Sequence, residues 1–373
     1  ETPLDAVSLG EITGDWETHR AVLKSDTTGW ATFCLLIPPQ TSLLADDFSL
    51  IPSSTLHGWR PDVIRAVTEV APKVIRFPGG CFASFYNWRE AIGPYENRMP
   101  QPSYFWGGMN YNDVGVAELA TFSKAVGAQM MYCVNVYHPL KQDYDHYFNE
   151  KENVPHGRNL IRFTSIEQGA QDAADLVAYC NLPVGSHPMA DLRASHGYAE
   201  PFGIRFWELD NEVTRWFEPE EYARAAVVYS RAMKAIDPSI QIGLSSYGER
   251  PGCKEMGEAL PEMLAICGKD VDFLADRRVC EGELDTMLQR MQDYNRSAGT
   301  DIRYCETEWL PLEEPEDYRD LPYDGHKTKS FMFSKWFYAM NIFRGFMMWQ
   351  RKGGQVNFIN FNNLANTHSQ CVV

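Results

Sequence analysis

Arg60–Gly80 reads RPDVIRAVTEVAPKVIRFPGG. Pro61 suits the first turn of a helix, and Val63, Ile64, Val67 and Val70 recur at helical spacing, so the first half is an amphipathic helix. A short apolar strand follows at once and ends on Pro78-Gly79-Gly80, a turn whose glycines tolerate a tight backbone path. A helix and a strand joined this closely, without a hairpin signal, make one unit of a parallel α/β fold.

The unit recurs along the chain. Val116, Leu119, Ala120, Ser123 and Val126 form a helical face stopped by Gly127, before the run AQMMYCVNV (128–136). Ala173, Leu176, Val177 and Cys180 form the next face, before IRFWELDNE (204–212). A helix opening at Pro219 carries Tyr222, Ala226, Tyr229, Met233 and Ile236 inward and precedes IQIGLSS (240–246). DVDFLA (270–275) is a short strand, Leu284, Met287, Leu288, Met291 and Tyr294 another helical stripe, and DIRYCETEW (301–309) another strand. A helix within 329–344 and a strand in QVNFINFNN (355–363) complete the series.

Such a series closes into a (β/α)8 barrel or opens into a doubly wound sheet. No G-x-G-x-x-G and no G-x-x-x-x-G-K-[ST] is present, which removes support for a nucleotide-binding open sheet. Polar groups recur at strand C-terminal ends instead: Arg76, Asn135, Asn211 with Glu212, and Glu308. In a barrel those ends converge on one face, where active sites sit. A (β/α)8 TIM-type barrel over residues 56–373 is therefore expected, preceded by a β-rich segment, residues 1–55, which ends a carbohydrate-binding-like β-sandwich. Only seven strong strand candidates follow Val74. The eighth is expected from a partner chain or a removed upstream segment, because an open gap leaves unpaired backbone groups on both flanking strands.

Composition narrows the function. The formal net charge is −16, from 34 basic and 50 acidic residues, which argues against nucleic acid or an anionic membrane surface as partner. No apolar run approaches the roughly 20 residues of a membrane span. The nine cysteines are scattered, with no C-x-x-C pair and no zinc spacing, and are expected to be mostly buried thiols. Neither a metal nor a cofactor is expected. A neutral substrate fits the charge best.

The stretch RFWELDNEV, Arg205–Val213, packs Glu208, Asp210, Asn211 and Glu212 into an otherwise apolar strand. Charged groups are rarely buried unless paired or used. Glu212 and Glu308 each lie near the end of a strand, in DNE and TEW. Two carboxyls facing one cleft suit glycoside hydrolysis, where one protonates the leaving oxygen and the other attacks the anomeric carbon. Glu208 and Asp210 are better read as a charge network, with an arginine such as Arg76. Period-2 alternation points Glu306 to the same side as Glu308, one layer deeper. Trp88, Trp106, Trp207 and Trp309 are candidates for stacking on sugar faces, Trp309 foremost among them.

The segments GWRPDVIRAV, VIRFPGGCFASFYNWREAIGP, LVAYCNLPVGSHPMADLRASHGYAEPFGIRFWELDNE and ETEW resemble glycoside hydrolase family 51, the α-L-arabinofuranosidase family, whose members also include endoglucanases. The likeness runs from about Phe48 to the C-terminus. It implies a retaining enzyme with Glu212 as general acid/base, Glu308 as nucleophile and Asn211 binding the hydroxyl next to the anomeric carbon. Arg76, Asn112 and Asn135 fall where the family places supporting polar groups, and Asn363 stands where it has a glutamine. After DVDFLA the family has a His and a Tyr, whereas this chain has Asp276, Arg277 and Arg278. The function implied is removal of arabinofuranosyl groups from plant polysaccharides or oligosaccharides. An endo-β-1,4-glucanase or xylanase of the same family and a non-catalytic carbohydrate-binding or assembly subunit are the alternatives. The protein is expected to be secreted or periplasmic, although no signal peptide opens this chain.

Overall fold

A computed structural model describes residues 4–46, 48–103, 109–142, 163–245, 256–276, 281–309 and 336–361. Contacts divide the chain into two units, Glu1–Pro52 and Ser53–Val373.

In the first unit the described residues form neither helix nor strand. The β-rich segment expected over residues 1–55 is thus not realised there. A strand needs a neighbour to take its backbone hydrogen bonds, and apolar patterning alone does not supply one. Trp16, Trp30, Phe33 and Leu36 are exposed, with Phe33 set edge-on to Phe48 at 5.9 Å.

The second unit is built on one seven-stranded parallel sheet in chain order. Its strands are β1 (Val74–Phe77), β4 (Gln129–Val134), β5 (Phe206–Leu209), β6 (Gln241–Ser245), β7 (Phe273–Asp276), β8 (Arg303–Trp309) and β9 (Val356–Phe361). Two short strands, β2 (Gln101–Pro102) and β3 (Met109–Asn110), pair antiparallel outside it. All seven expected runs are strands of this sheet. The sheet curls into a nearly closed barrel, and its two ends meet where Asn360 Nδ2 donates to the Val74 carbonyl at 3.0 Å.

Most of the helices form where the apolar spacing places them. Pro61–Val70 opens on its proline, carries Asp62 in its first turn and stops where Ala71 turns left-handed at φ 56°. Val67 is buried, and Val63 and Ile64 pack beside it, while Val70 at the last position is exposed. In Pro219–Ile236 the stripe Tyr222, Ala226, Tyr229 and Met233 is fully buried. Leu284, Met287, Leu288 and Met291 do the same in Glu281–Ala298. The last helix runs to Arg351 rather than ending by Arg344: it continues through Gly345 and stops before Gly353-Gly354.

The barrel interior changes character along the strands. A lower layer of Met131, Phe206, Phe273, Ala275 and Cys305 is apolar, with Val74 and Phe358 packed against it. One step toward the strand C-termini, Arg76, Glu208 and Thr307 replace it with charge and hydroxyl. The apolar floor holds the strands together, and the ionic layer above it carries the site.

Candidate active site

Arg76 projects inward from β1 and binds four acceptors at once. Its Nε and Nη2 donate to Glu208 of β5 at 2.6 and 2.9 Å, Nη1 donates to Glu308 of β8 at 3.2 Å, and Nη2 also donates to Asn211 Oδ1 at 2.8 Å. The planar guanidinium suits this, because its donors diverge in a fixed fork. Arg76 and Glu208 side chains are 7% and 2% exposed, so the pair is out of water, while Glu308 keeps 17%. Burial works to lower the Arg76 pKa, but the carboxylates of Glu208 and Glu308 outweigh it and hold the guanidinium above its ordinary value. Burial pushes the Glu208 carboxyl up, with Arg76 pulling against it. Glu208 is therefore the structural counter-ion, and Glu308 is the more open of Arg76's two carboxylate partners.

Glu308 reaches the interior through a break in strand alternation. Along β8, Cys305 lies in the inner apolar layer and Thr307 Oγ1 donates to Glu208 at 3.1 Å, so odd positions face inward. Between Glu306 and Trp309 the register against β9 slips by one residue: Glu306 pairs with Ile359 and Trp309 with Phe361. This bulge turns Glu308 inward next to Thr307. Glu306 stays on the outer side, accepting from the Tyr304 hydroxyl at 2.9 Å, a hydroxyl that also lies 3.2 Å from Asp276. The alternation expectation that places Glu306 beneath Glu308 is thus corrected.

Glu212 is presented by a different device. After β5 the chain turns left-handed at Asp210 (φ 66°) and again at Glu212 (φ 47°). Each costs a non-glycine residue about 1–2 kcal/mol. Cys81 Sγ donates to Glu212 Oε2 at 3.4 Å and lies 3.7 Å from Asn211 Nδ2. The preceding residue, Gly80, passes so close to the other acid that a Cβ there falls 2.9 Å from Glu308 Oε2. Two consecutive residues of the turn after β1 therefore touch the two carboxylates, one each. That arrangement brings Glu212, Glu308, Asn211 and Arg76 together as a single group.

Other predicted residues lie elsewhere. Asn112 is fully buried at φ 60°, and its amide is spent on the loop around it: it accepts from Gln101 and Asn110 and donates to the Met99 and Glu90 carbonyls. It is a loop-holding residue, and its expected substrate role is corrected. Trp309 is corrected likewise: 1% exposed, it packs among Phe346, Trp349 and Phe361, because a residue following the inward Glu308 faces out. Trp88 and Trp207 are also buried, and Trp106 and Asn363 lie outside the described residues. Asn135 donates to the Tyr86 carbonyl at 3.2 Å and lines a small cavity with Tyr86, Tyr132 and helix Ile166–Asn181. Among its described hydrogen bonds none reaches the acid group.

Sequence reasoning missed Gly80, Cys81, Thr307 and Lys141. Cys81 directly follows the quoted Pro-Gly-Gly turn at the end of a strand and carried the available signal. Lys141 gave none, since an isolated lysine after a strand is ordinarily solvated.

The sequence pattern of the alpha-L-arabinofuranosidase 1 domain matches residues 66–297. An intracellular exo-alpha-(1->5)-L-arabinofuranosidase of Halalkalibacterium halodurans is 33% identical over 196 residues, 51% of this chain and 33% of that protein. The corresponding protein of Acetivibrio thermocellus is 35% identical over 190 residues, 50% of this chain and 32% of its own length. The matched stretch thus spans about a third of the length of these relatives. Among solved structures, a family 51 alpha-L-arabinofuranosidase from Bifidobacterium longum superposes with a TM-score of 0.63 at 20% identity, covering 84% of this chain and 62% of that one. An alpha-L-arabinofuranosidase from Thermotoga maritima superposes with a TM-score of 0.61 at 22% identity, covering 86% and 61%. These likenesses show a shared barrel fold. The domain match includes Arg76, Asn211 and Glu212 and spans more than half of the sequence, so the chain belongs to the alpha-L-arabinofuranosidase 1 domain family.

Proposed function

We propose that this chain is the catalytic part of a retaining α-L-arabinofuranosidase of glycoside hydrolase family 51, acting on arabinofuranosyl groups of plant polysaccharides or their oligosaccharides. The observation that carries this reading is the single group formed by Arg76, Asn211, Glu212 and Glu308, with Gly80 and Cys81 touching one carboxylate each. Glu308 attacks the anomeric carbon while Glu212 protonates the departing glycosidic oxygen, giving a glycosyl-enzyme ester. Glu212 then takes a proton from water, which attacks the same carbon and releases Glu308. Arg76 orients the nucleophile and Asn211 together. The names of the relatives supply the sugar.

The test is hydrolysis of an aryl α-L-arabinofuranoside with the first-formed anomer read by proton NMR. Retention is expected, and a first-formed inverted product overturns the mechanism. Glu308→Ala should lose nearly all activity and regain some with azide, giving a glycosyl azide of inverted configuration. Glu212→Ala should cost roughly 10²–10⁴-fold, less on good leaving groups. Near-normal turnover by Glu308→Ala sinks the assignment.

A further inference from the structure

Asp210 occupies a left-handed conformation between β5 and the proposed site residues Asn211 and Glu212, and its side chain is completely buried. A buried carboxylate needs partners on both oxygens, and here they come from three different elements. Ser84 Oγ, in the turn after β1, donates to Oδ1 at 2.5 Å, and the Asn211 amide donates to the same oxygen at 2.8 Å. The Val136 amide, beyond β4, donates to Oδ2 at 2.9 Å, and Lys141 Nζ forms an ion pair there. Lys141 is itself 3% exposed, donates to the Val136 carbonyl at 2.8 Å and lies 5.7 Å from the Trp216 ring centre. The Asp210 backbone adds two more ties, donating to Val134 O at 2.7 Å and accepting from Cys133 Sγ at 3.1 Å.

This pair touches neither Glu212 nor Glu308. Its effect passes through the backbone: with Asp210 clamped to the loops after β1 and β4, the residues after it have one path. Asn211 Oδ1 then meets Arg76 and Glu212 Oε2 meets Cys81. A short polar residue tolerates the left-handed region because its side chain bonds locally, and the Asp210–Asn211 contact is of that kind. The lysine goes further than local bonding requires. Burial pushes its ammonium below the ordinary value, with Asp210 opposing.

We infer that Lys141 and Asp210 are positioning residues for Glu212, holding the acid/base in register with the nucleophile from outside the substrate site. The inference rests on the reading of Glu212 given above. Lys141→Met keeps the stem and removes the charge. Its kcat/KM on a phenyl arabinofuranoside, which needs a proton at the leaving oxygen, should fall about 10–100-fold, a partial loss of the roughly 10²–10⁴-fold that general-acid help supplies. On the 2,4-dinitrophenyl glycoside, which leaves without that proton, kcat/KM should stay within about threefold by the same reasoning. A role confined to stability lowers both alike, so equal losses overturn the inference, as does wild-type behaviour on both. The double variant Lys141→Met/Asp210→Asn carries no uncompensated buried charge and covers the case in which the single variant does not fold; it should show the same leaving-group split. A crystal structure of either variant should show Glu212 moved away from Cys81, and a Glu212 retained in that contact overturns the inference. If the wild type cleaves neither glycoside, the functional reading fails while the crystal structure still decides the positioning.

Discussion

At the end of β5 the chain reaches Glu212 through two left-handed residues, each paired or clamped. At the end of β8 it reaches Glu308 through a bulge that adds one residue against β9. The first device concentrates polar residues in sequence and fixes them with buried ions. The second leaves the composition of the strand unchanged and alters only its parity. An ion network resists displacement but fails abruptly when one partner is lost, whereas a bulge yields locally.

That difference predicts its largest effect at Arg76, where the two strand ends meet. Arg76→Met leaves Glu208 buried without its bidentate partner, and breaking a buried pair from one side costs about 3–5 kcal/mol. Urea unfolding should report that loss, and replacing Glu208 by Met in the same chain should recover most of it. A Arg76→Met protein as stable as the wild type removes the network from the account of β5.

Gly80 tests the β8 side. Alanine at this position, where φ is −81° and ψ −120°, adds one Cβ beside the acid. The added Cβ falls 2.9 Å from Glu308 Oε2 and 3.5 Å from Cδ, so the carboxylate has to shift. A displacement near 1 Å at a reacting group costs on the order of 10²-fold. Gly80→Ala should therefore lose about that much kcat, measured on folded protein, since the atom displaced is the end of the Glu308 side chain. Unchanged kcat shows that the end of β8 has more freedom than the close approach allows.

Legibility in the sequence divides along the same line. The seven strands and most of the helices between them were readable because period 3.6 gave way to short apolar runs six times over, with DVDFLA a further run, and barrel closure follows from that order. Arg76 and Glu212 were readable because charge in an apolar run has few explanations, and Asn211 through the family resemblance. Tertiary pairing hid the rest. Asn112 looks like a ligand in one dimension and is saturated by its own loop in three. Trp309 follows the inward Glu308 in sequence, and for that reason faces the opposite side. The first unit carries strand-like patterning without the neighbour a sheet needs, and no pattern internal to it reveals that.

The smallest effect belongs to Glu306, which sharpens the comparison most. Under unbroken alternation, Glu306 and Glu308 share a face, and either is a plausible nucleophile. With the bulge, Glu306 lies outside, fully buried, accepting the Tyr304 hydroxyl bond near Asp276. Gln at this position keeps a carbonyl oxygen for that hydroxyl and removes one charge from a crowded acidic corner, so stability should change by no more than about 1 kcal/mol, the net worth of one hydrogen bond. Because the side chain points away from Arg76 and Thr307, Glu306→Gln should keep kcat within about threefold, which is under 1 kcal/mol in the barrier. Parallel assays of Glu306→Gln and Glu308→Gln on one substrate decide the matter: a loss at 306 as large as that at 308 means that β8 keeps its alternation and that the bulge does not select the nucleophile.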